Sequence, residues 1–339
     1  MNPKIYTGTG SSNALTGIGF QPDLVWAKAR ANGSSTNNHQ LVDVIRGVEK
    51  VLSSDRDVGT QNEPQSITAF GADGFTLGTS NVCNQSGIDG VSWNWKANGA
   101  GSANTDGSIS STVSANTTSG FSIVKYTGTG SVGTIGHGLG AVPKMLIFKT
   151  LSSNDWYVHH TATGVNGRLI LNGTNASADN TAFLNQVLPT STLITIGTAG
   201  QVNASGEDFI CYAFADVAGF SKMGSYIGNA SSTGDGTFIY TGFAPKFIMV
   251  KNSSTLKNWH TFDTARDGLG MINHDIKPNL VSSGASATGV YWFDYLSNGF
   301  KVRMPTSNAD YSDINASGST YIYMAFGQPI ISNSGVCAT

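Results

Sequence analysis

The sequence predicts an all-β protein built from three tandem, related β-sandwich modules of jelly-roll-like type. Three observations carry that expectation. One residue pattern recurs three times in a shared register. Apolar residues fall in short runs of period two, and Gly, Pro, Asn or Ser separate the runs at the spacing typical of sandwiches and barrels. The composition agrees, with 42 glycines in 339 residues and only 12% charged residues. Polar surface is therefore carried by turn and strand-edge residues more than by charge.

Each copy opens with an aromatic residue and a glycine turn: Tyr6-Thr7-Gly8-Thr9-Gly10, Tyr126-Thr127-Gly128-Thr129-Gly130 and Tyr226-Ile227-Gly228-Asn229. A proline then precedes an apolar strand that ends in lysine, and Pro22 to Lys28, Pro143 to Lys149 and Pro245 to Lys251 share one spacing. An Asp-x-x-Arg step follows in two copies, Asp43 with Arg46 and Asp263 with Arg266, and is missing from the second. A Gly-Phe strand comes next, at Gly74-Phe75 and Gly299-Phe300, with Leu193 to Ile196 as the looser match between them. Each copy closes on an Asn-x-Ser-Gly turn, at Asn84, Asn203 and Asn315, and an aromatic strand.

These landmarks predict modules over 1–97, 120–217 and 218–330, with a tail over 331–339. Residues 98–119 are almost entirely Gly, Ser, Thr, Asn and Ala, which predicts a linker or a strand-edge segment lying on a neighbour. Gln40 to Leu52 has apolar residues at helical spacing, but Gly47 interrupts it and the matching stretch in the third copy is not helical. Two strands around an Arg-Gly turn are expected there.

Several function classes are excluded on composition. The net charge is −2 and no basic run exists, so nucleic acid and anionic membrane surfaces are not expected partners. No apolar stretch is long enough for a helical membrane span, and the N-terminal residues carry no signal-peptide h-region. Cys83, Cys211 and Cys337 are odd in number and far apart, so no disulfide framework is expected.

The motifs that could carry chemistry favour structural roles. Gly128 to Gly133 matches G-x-G-x-x-G, but Thr134-Ile135-Gly136-His137-Gly138 cannot supply the helix a dinucleotide site needs, so a hairpin or bulged loop is expected. His159-His160 has no further donors at workable spacing, and strand geometry predicts one packed and one wet imidazole. The two Asp-Arg pairs are expected to bridge turns inside their own modules. Asp55, Asp57, Glu63, Asp73, Asp294, Asp310 and Asp313 stand in polar or turn contexts, without the facing pair that glycoside hydrolysis requires. Trp93 and Trp95 share one strand face and are expected in the core. Trp156 and Trp259 stand beside loops, so Trp156, His159, Trp259 and His260 are the candidate contacts for a glycan or partner. No catalytic residue, metal or cofactor is expected.

Taken together, the Y-T-G-x-G opening, the Pro-to-Lys strand, the Asp-x-x-Arg step, the Gly-Phe step and the N-x-S-G aromatic strand resemble the repeated module of virion proteins of tailed bacteriophages, especially marine and cyanobacterial ones. The resemblance runs from about Ile5 to Pro329. It implies a non-enzymatic structural protein of the virion surface, assembled in the host cytoplasm and in contact with other virion proteins. Because the first module starts near Met1 and no heptad segment exists, a capsid decoration, knob or tail-associated subunit is expected over a long fibre. A homo-oligomer is expected, with a trimer favoured. The alternatives are a tail protein that binds a host receptor or glycan and, third, a polysaccharide depolymerase.

Overall fold

The computed structural model describes residues 1–30, 37–282, 285–286 (main chain only) and 291–327. The expected tail over 331–339 and Cys337 lie outside these residues. Among the described residues every ladder is antiparallel and the helices are single turns, so the chain is all-β, as the period-two runs require.

Each module is a two-layer sandwich. Its inner sheet has four strands in the order opening, closing, lysine, return. In the first module these are Asn2–Thr7, Asp89–Trp95, Leu24–Ala29 and Gln40–Asp43. In the second they are Phe121–Thr127, Asp208–Ala215, Pro143–Thr150 and Tyr157–His160. In the third they are Ser221–Ile227, Thr320–Gly327, Pro245–Asn252 and Trp259–Asp263. The proline that opens the lysine strand sits at a register shift in the second and third modules, a place where a missing N–H breaks no ladder bond. The outer sheets differ in size, with three, two and four strands in chain order. Only the third module reaches the four-over-four count of a jelly roll.

Both faces of the lysine strand are buried, which is why it reads as an unbroken apolar run. Leu24 and Trp26, with Met145, Ile147, Phe247 and Met249, point into one core shared by all three modules. The intervening residues, such as Val25, Leu146 and Ile248, point into a separate core inside each module. The closing strands meet at the middle of the shared core. The rings of Trp95, Phe214 and Phe326 form a triangle, with centroids 6.2, 6.0 and 6.0 Å apart. These three residues are equivalent in register, each paired with the second residue after the module's proline. The chain is thus an internal trimer, with three modules around one pseudo-threefold axis.

The recurring motifs close each module on itself. The opening tyrosines, Tyr6, Tyr126 and Tyr226, donate to the carbonyls of Cys83, Val202 and Ile314, each the residue before a closing-turn asparagine. The asparagine side chains then accept from Thr9, Thr129 and Asn229 N–H at 3.0, 2.7 and 3.0 Å. The glycine between leaves no room for a side chain. A Cβ on Gly8, Gly128 or Gly228 would stand 2.2 to 2.3 Å from the carbonyl oxygen of Gln85, Ala204 or Ala316. The G-x-G-x-x-G stretch is therefore the second module's copy of this loop, and it runs into a strand, Gly133–Gly136.

Residues 40–52 form two strands around the Arg46-Gly47 turn, with Leu41 and Leu52 exchanging main-chain bonds. The stretch 98–119 is not a free linker. Ser111–Asn116 pairs with Phe121–Thr127, and Ser102–Asn104 pairs with Ser111–Asn116, adding two strands to one edge of the second module's inner sheet; Gly167–Ile170 and Ala178–Asp179 add two at the other edge, which brings the sheet to eight. The low apolar content of 98–119 follows from that edge position, where one strand face stays wet. Ser108 also exchanges bonds with Thr134 of the outer sheet.

Candidate functional site

The recurring polar residues meet at the seams between modules, and they do so cyclically. Asp43, His160 and Asp263 hold one register position, each opposite the first inward residue of its lysine strand. Asp43 and Asp263 hold Arg46 and Arg266 at 2.6 and 2.7 Å inside their own modules. Each of the three positions also meets the closing strand of another module. Asp43 accepts from the Tyr212 hydroxyl at 2.8 Å, and Asp263 accepts from Trp93 Nε1 at 2.9 Å. His160 Nε2 donates to the Tyr323 carbonyl at 3.2 Å, while Nδ1 accepts from Ala162 N–H at 3.1 Å. First joins second, second joins third, and third joins first. Histidine thus replaces the Asp that the second copy lacks, and as a neutral tautomer it makes the same cap and the same seam bond. Burial, with His159 adjacent, lowers the His160 pKa to about 4.

A second ring of contacts runs the opposite way. His39, Trp156 and Trp259 are equivalent, and His39 Nε2, Trp156 Nε1 and Trp259 Nε1 meet the carbonyls of Lys277, Ser53 and Ile170 at 3.1, 2.9 and 2.8 Å. Beside each stands a repeat lysine with no exposed surface. Lys28 donates to the carbonyls of Asn37 at 2.8 Å and of Val281, in the third module, at 3.0 Å. Lys149 donates to Thr150 and Ser152 carbonyls at 2.9 and 2.8 Å. Lys251 donates to Asn252 at 2.6 Å and across the seam to Thr174 at 3.2 Å. Burial lowers these ammonium pKa values to about 8, about 8 and about 7.

The four candidate contact residues therefore do not reach the surface. Trp156, His159, Trp259 and His260 are all buried. The tryptophans do stand beside loops, but segments of the preceding module cover them. The expected split between a packed and a wet histidine also fails, because the return strand has a core on each side. His159 takes the position that Phe262 fills in the third module, and burial lowers its pKa to about 4.

His260 belongs to a charge cluster that the sequence does not reveal. Its Nδ1 and Nε2 lie 3.0 Å from Asp275 Oδ2 and 3.0 Å from Asp313 Oδ2. Lys277 and Lys257 hold these two acids from the outside at 3.0 Å each. Burial disfavours the imidazolium, yet the two carboxylates reverse that and raise the His260 pKa. The imidazole fills the space between the acids, so the pair is not a cleft for a sugar. Among the described residues no group of three His, Cys, Asp or Glu is placed to hold a metal ion.

The three outer sheets also differ in what they turn to solvent. The outer sheets of the first two modules turn small residues outward, Ala14, Thr76 and Ala69 in one and Thr134 and Thr195 in the other. The third turns out Phe238, Tyr240, Met271 and Leu296, with exposures of 45, 60, 56 and 39%. Its strands run in the order Phe238–Tyr240, Gly299–Val302, Phe293–Leu296, Met271–Ile272. Lys301, bonded to Asp235, and Asp294, bonded to Arg303 at 3.1 Å, stand in the centre of the face. Clustered exposed apolar groups with paired charges are characteristic of an interaction surface. Period-two alternation puts Phe238 and Tyr240 on one side of their strand but gives no reason to set them outward.

A family model described as "Domain of unknown function (DUF7483)" matches residues 1–329. No curated protein and no solved structure matches the chain.

Proposed function

The chain belongs to the DUF7483 family, and we propose that it is a non-enzymatic structural component of the surface of a tailed bacteriophage virion. The observation that carries this reading is the double ring of seam contacts. The residues behind the resemblance, namely two of the three repeat lysines, the aspartates of the Asp-x-x-Arg pairs and the aromatic closing strands, are the ones that join the modules. They are spent on architecture, and their chemistry is satisfied by carbonyls, carboxylates and rings inside the molecule. A single chain that is already threefold in shape suits a decoration, knob or tail-associated subunit, which must hold its form outside the cell. Burial of the aromatic closing strands supplies that cohesion.

The test is a gold-labelled antibody against the chain, applied to purified particles of the phage that encodes it and read by electron microscopy. Label on every particle, over head or tail, is the expected result. Absence of the chain from purified particles by both label and mass spectrometry would reject the proposal.

A further inference from the structure

We propose that two copies of this chain pair face to face through the outer sheet of the third module. The two-fold axis would run between the strands Gly299–Val302 and Phe293–Leu296, parallel to them. The order of residues across the face carries the inference. One row reads Phe238, Lys301, Asp294, Met271 across the four strands. It is apolar, positive, negative, apolar. Turning a copy over about that axis sets Lys301 against the partner copy's Asp294, and Phe238 against its Met271.

The neighbouring row fits the same operation. It reads Tyr240, Gly299, Leu296. The main-chain bond from Tyr295 N–H to the Gly270 carbonyl, at 2.7 Å, carries the ladder on and sets Leu269 at its end. The two-fold then brings Leu296 over the gap at Gly299 and Tyr240 over Leu269, which is 76% exposed. A two-fold contact must be self-complementary in shape and charge, and both rows satisfy that. The equivalent faces of the other modules, lined by Ala and Thr, offer neither.

The face is small. Four strands at ~4.8 Å spacing and a few residues each give a footprint on the order of 350 Å² per copy. That is below the usual ~800 Å² per partner, so a dissociation constant in the micromolar range or weaker is expected. Such pairing gains strength where copies are arrayed side by side.

Sedimentation velocity on the full chain from ~1 to ~500 μM should show a reversible species of twice the 35.4 kDa chain mass. The variants K301E and D294K each place like charges opposite one another in a dimer with themselves. Each is expected to weaken pairing at least ~10-fold, and an equimolar mixture of the two should recover it to within ~3-fold, because opposite charges then face across the axis. Hydrogen exchange on the unaltered chain should show protection of 238–240 and 294–301 rising with concentration. A chain that stays monomeric to ~500 μM, a mixture that does not recover pairing, or a face that takes saccharide as a monomer would each overturn the proposal.

Discussion

The Tyr212 hydroxyl donates to Asp43 Oδ2 at 2.8 Å, the same oxygen that Arg46 Nε holds at 2.6 Å. One carboxylate atom therefore ties a turn of the first module to the closing strand of the second. Tyr212→Phe should cost about 1.5–3 kcal/mol in urea unfolding, the worth of a hydrogen bond to a charged group. Asp43→Ala should cost about 3–5 kcal/mol, because it strands the Arg46 guanidinium in the interior. The double variant should lose less than the sum of the two, since both act on one network.

The seam lysines predict a stability that rises with pH. Burial lowers Lys251 from 10.5 to about 7, with Asp313 acting against the shift and Lys257 adding to it. Between those two values the unfolded chain binds more protons than the native one, so this group's contribution grows as pH increases across the window. It is lost as pH falls through about 7. Lys251→Met should flatten that portion of the stability curve, a difference on the order of 3 kcal/mol between pH 7 and pH 10. Thermal melts of both forms at stepped pH measure it.

His260 predicts the opposite slope. Its pKa is raised in the folded chain, so its contribution is complete below its unfolded value near ~6.5 and disappears as pH climbs through the folded value. Asp275 and Asp313 are both held below the ordinary carboxylate range, so their contributions disappear as pH falls through their folded values. The cluster is strongest between roughly pH 4 and 6.5. His260→Phe, which leaves two acids without their shared cation, should cost about 3–5 kcal/mol at pH 6. The imidazole carbon proton followed by NMR across pH 5 to 9 reads the titration directly.

Gly128→Ala should destabilise the chain by at least about 2 kcal/mol, because the new Cβ would stand 2.3 Å from the Ala204 carbonyl oxygen. Gly200→Ala is the matched control, with nothing within 4 Å of its Cβ and an ordinary backbone angle. It should be neutral or stabilising by about 0.4–1 kcal/mol. Chemical denaturation of the two variants side by side separates a steric role from general glycine flexibility.

Much of the sandwich architecture is legible in the residues, because each motif has a local job. The opening tyrosine bonds the residue before the closing asparagine, that asparagine bonds the residue after the glycine, and the glycine packs against the closing turn, so the three recur at fixed spacing. The seams are legible only in part. Asp43 and Arg46 announce a turn, but nothing near them in sequence names Tyr212. Trp156 and Trp259 look like surface candidates because the loops that cover them come from the module before, more than 80 residues away. His160 is hidden by its chemistry, since an imidazole standing in for a carboxylate breaks the pattern while keeping the bond. The cluster around His260 joins residues spread over more than 50 positions, and no spacing rule could have gathered them.

Three separate polypeptides related by a true rotation must all change whenever one does. Here the thirds are joined head to tail, so each evolves alone while the common interior keeps the assembly whole. Stoichiometry no longer depends on how much of the protein the cell makes. That freedom is visible where Phe238 and Tyr240 occupy one third while alanine and threonine remain on the others. A sticky patch can arise on one flank without being imposed on the other two.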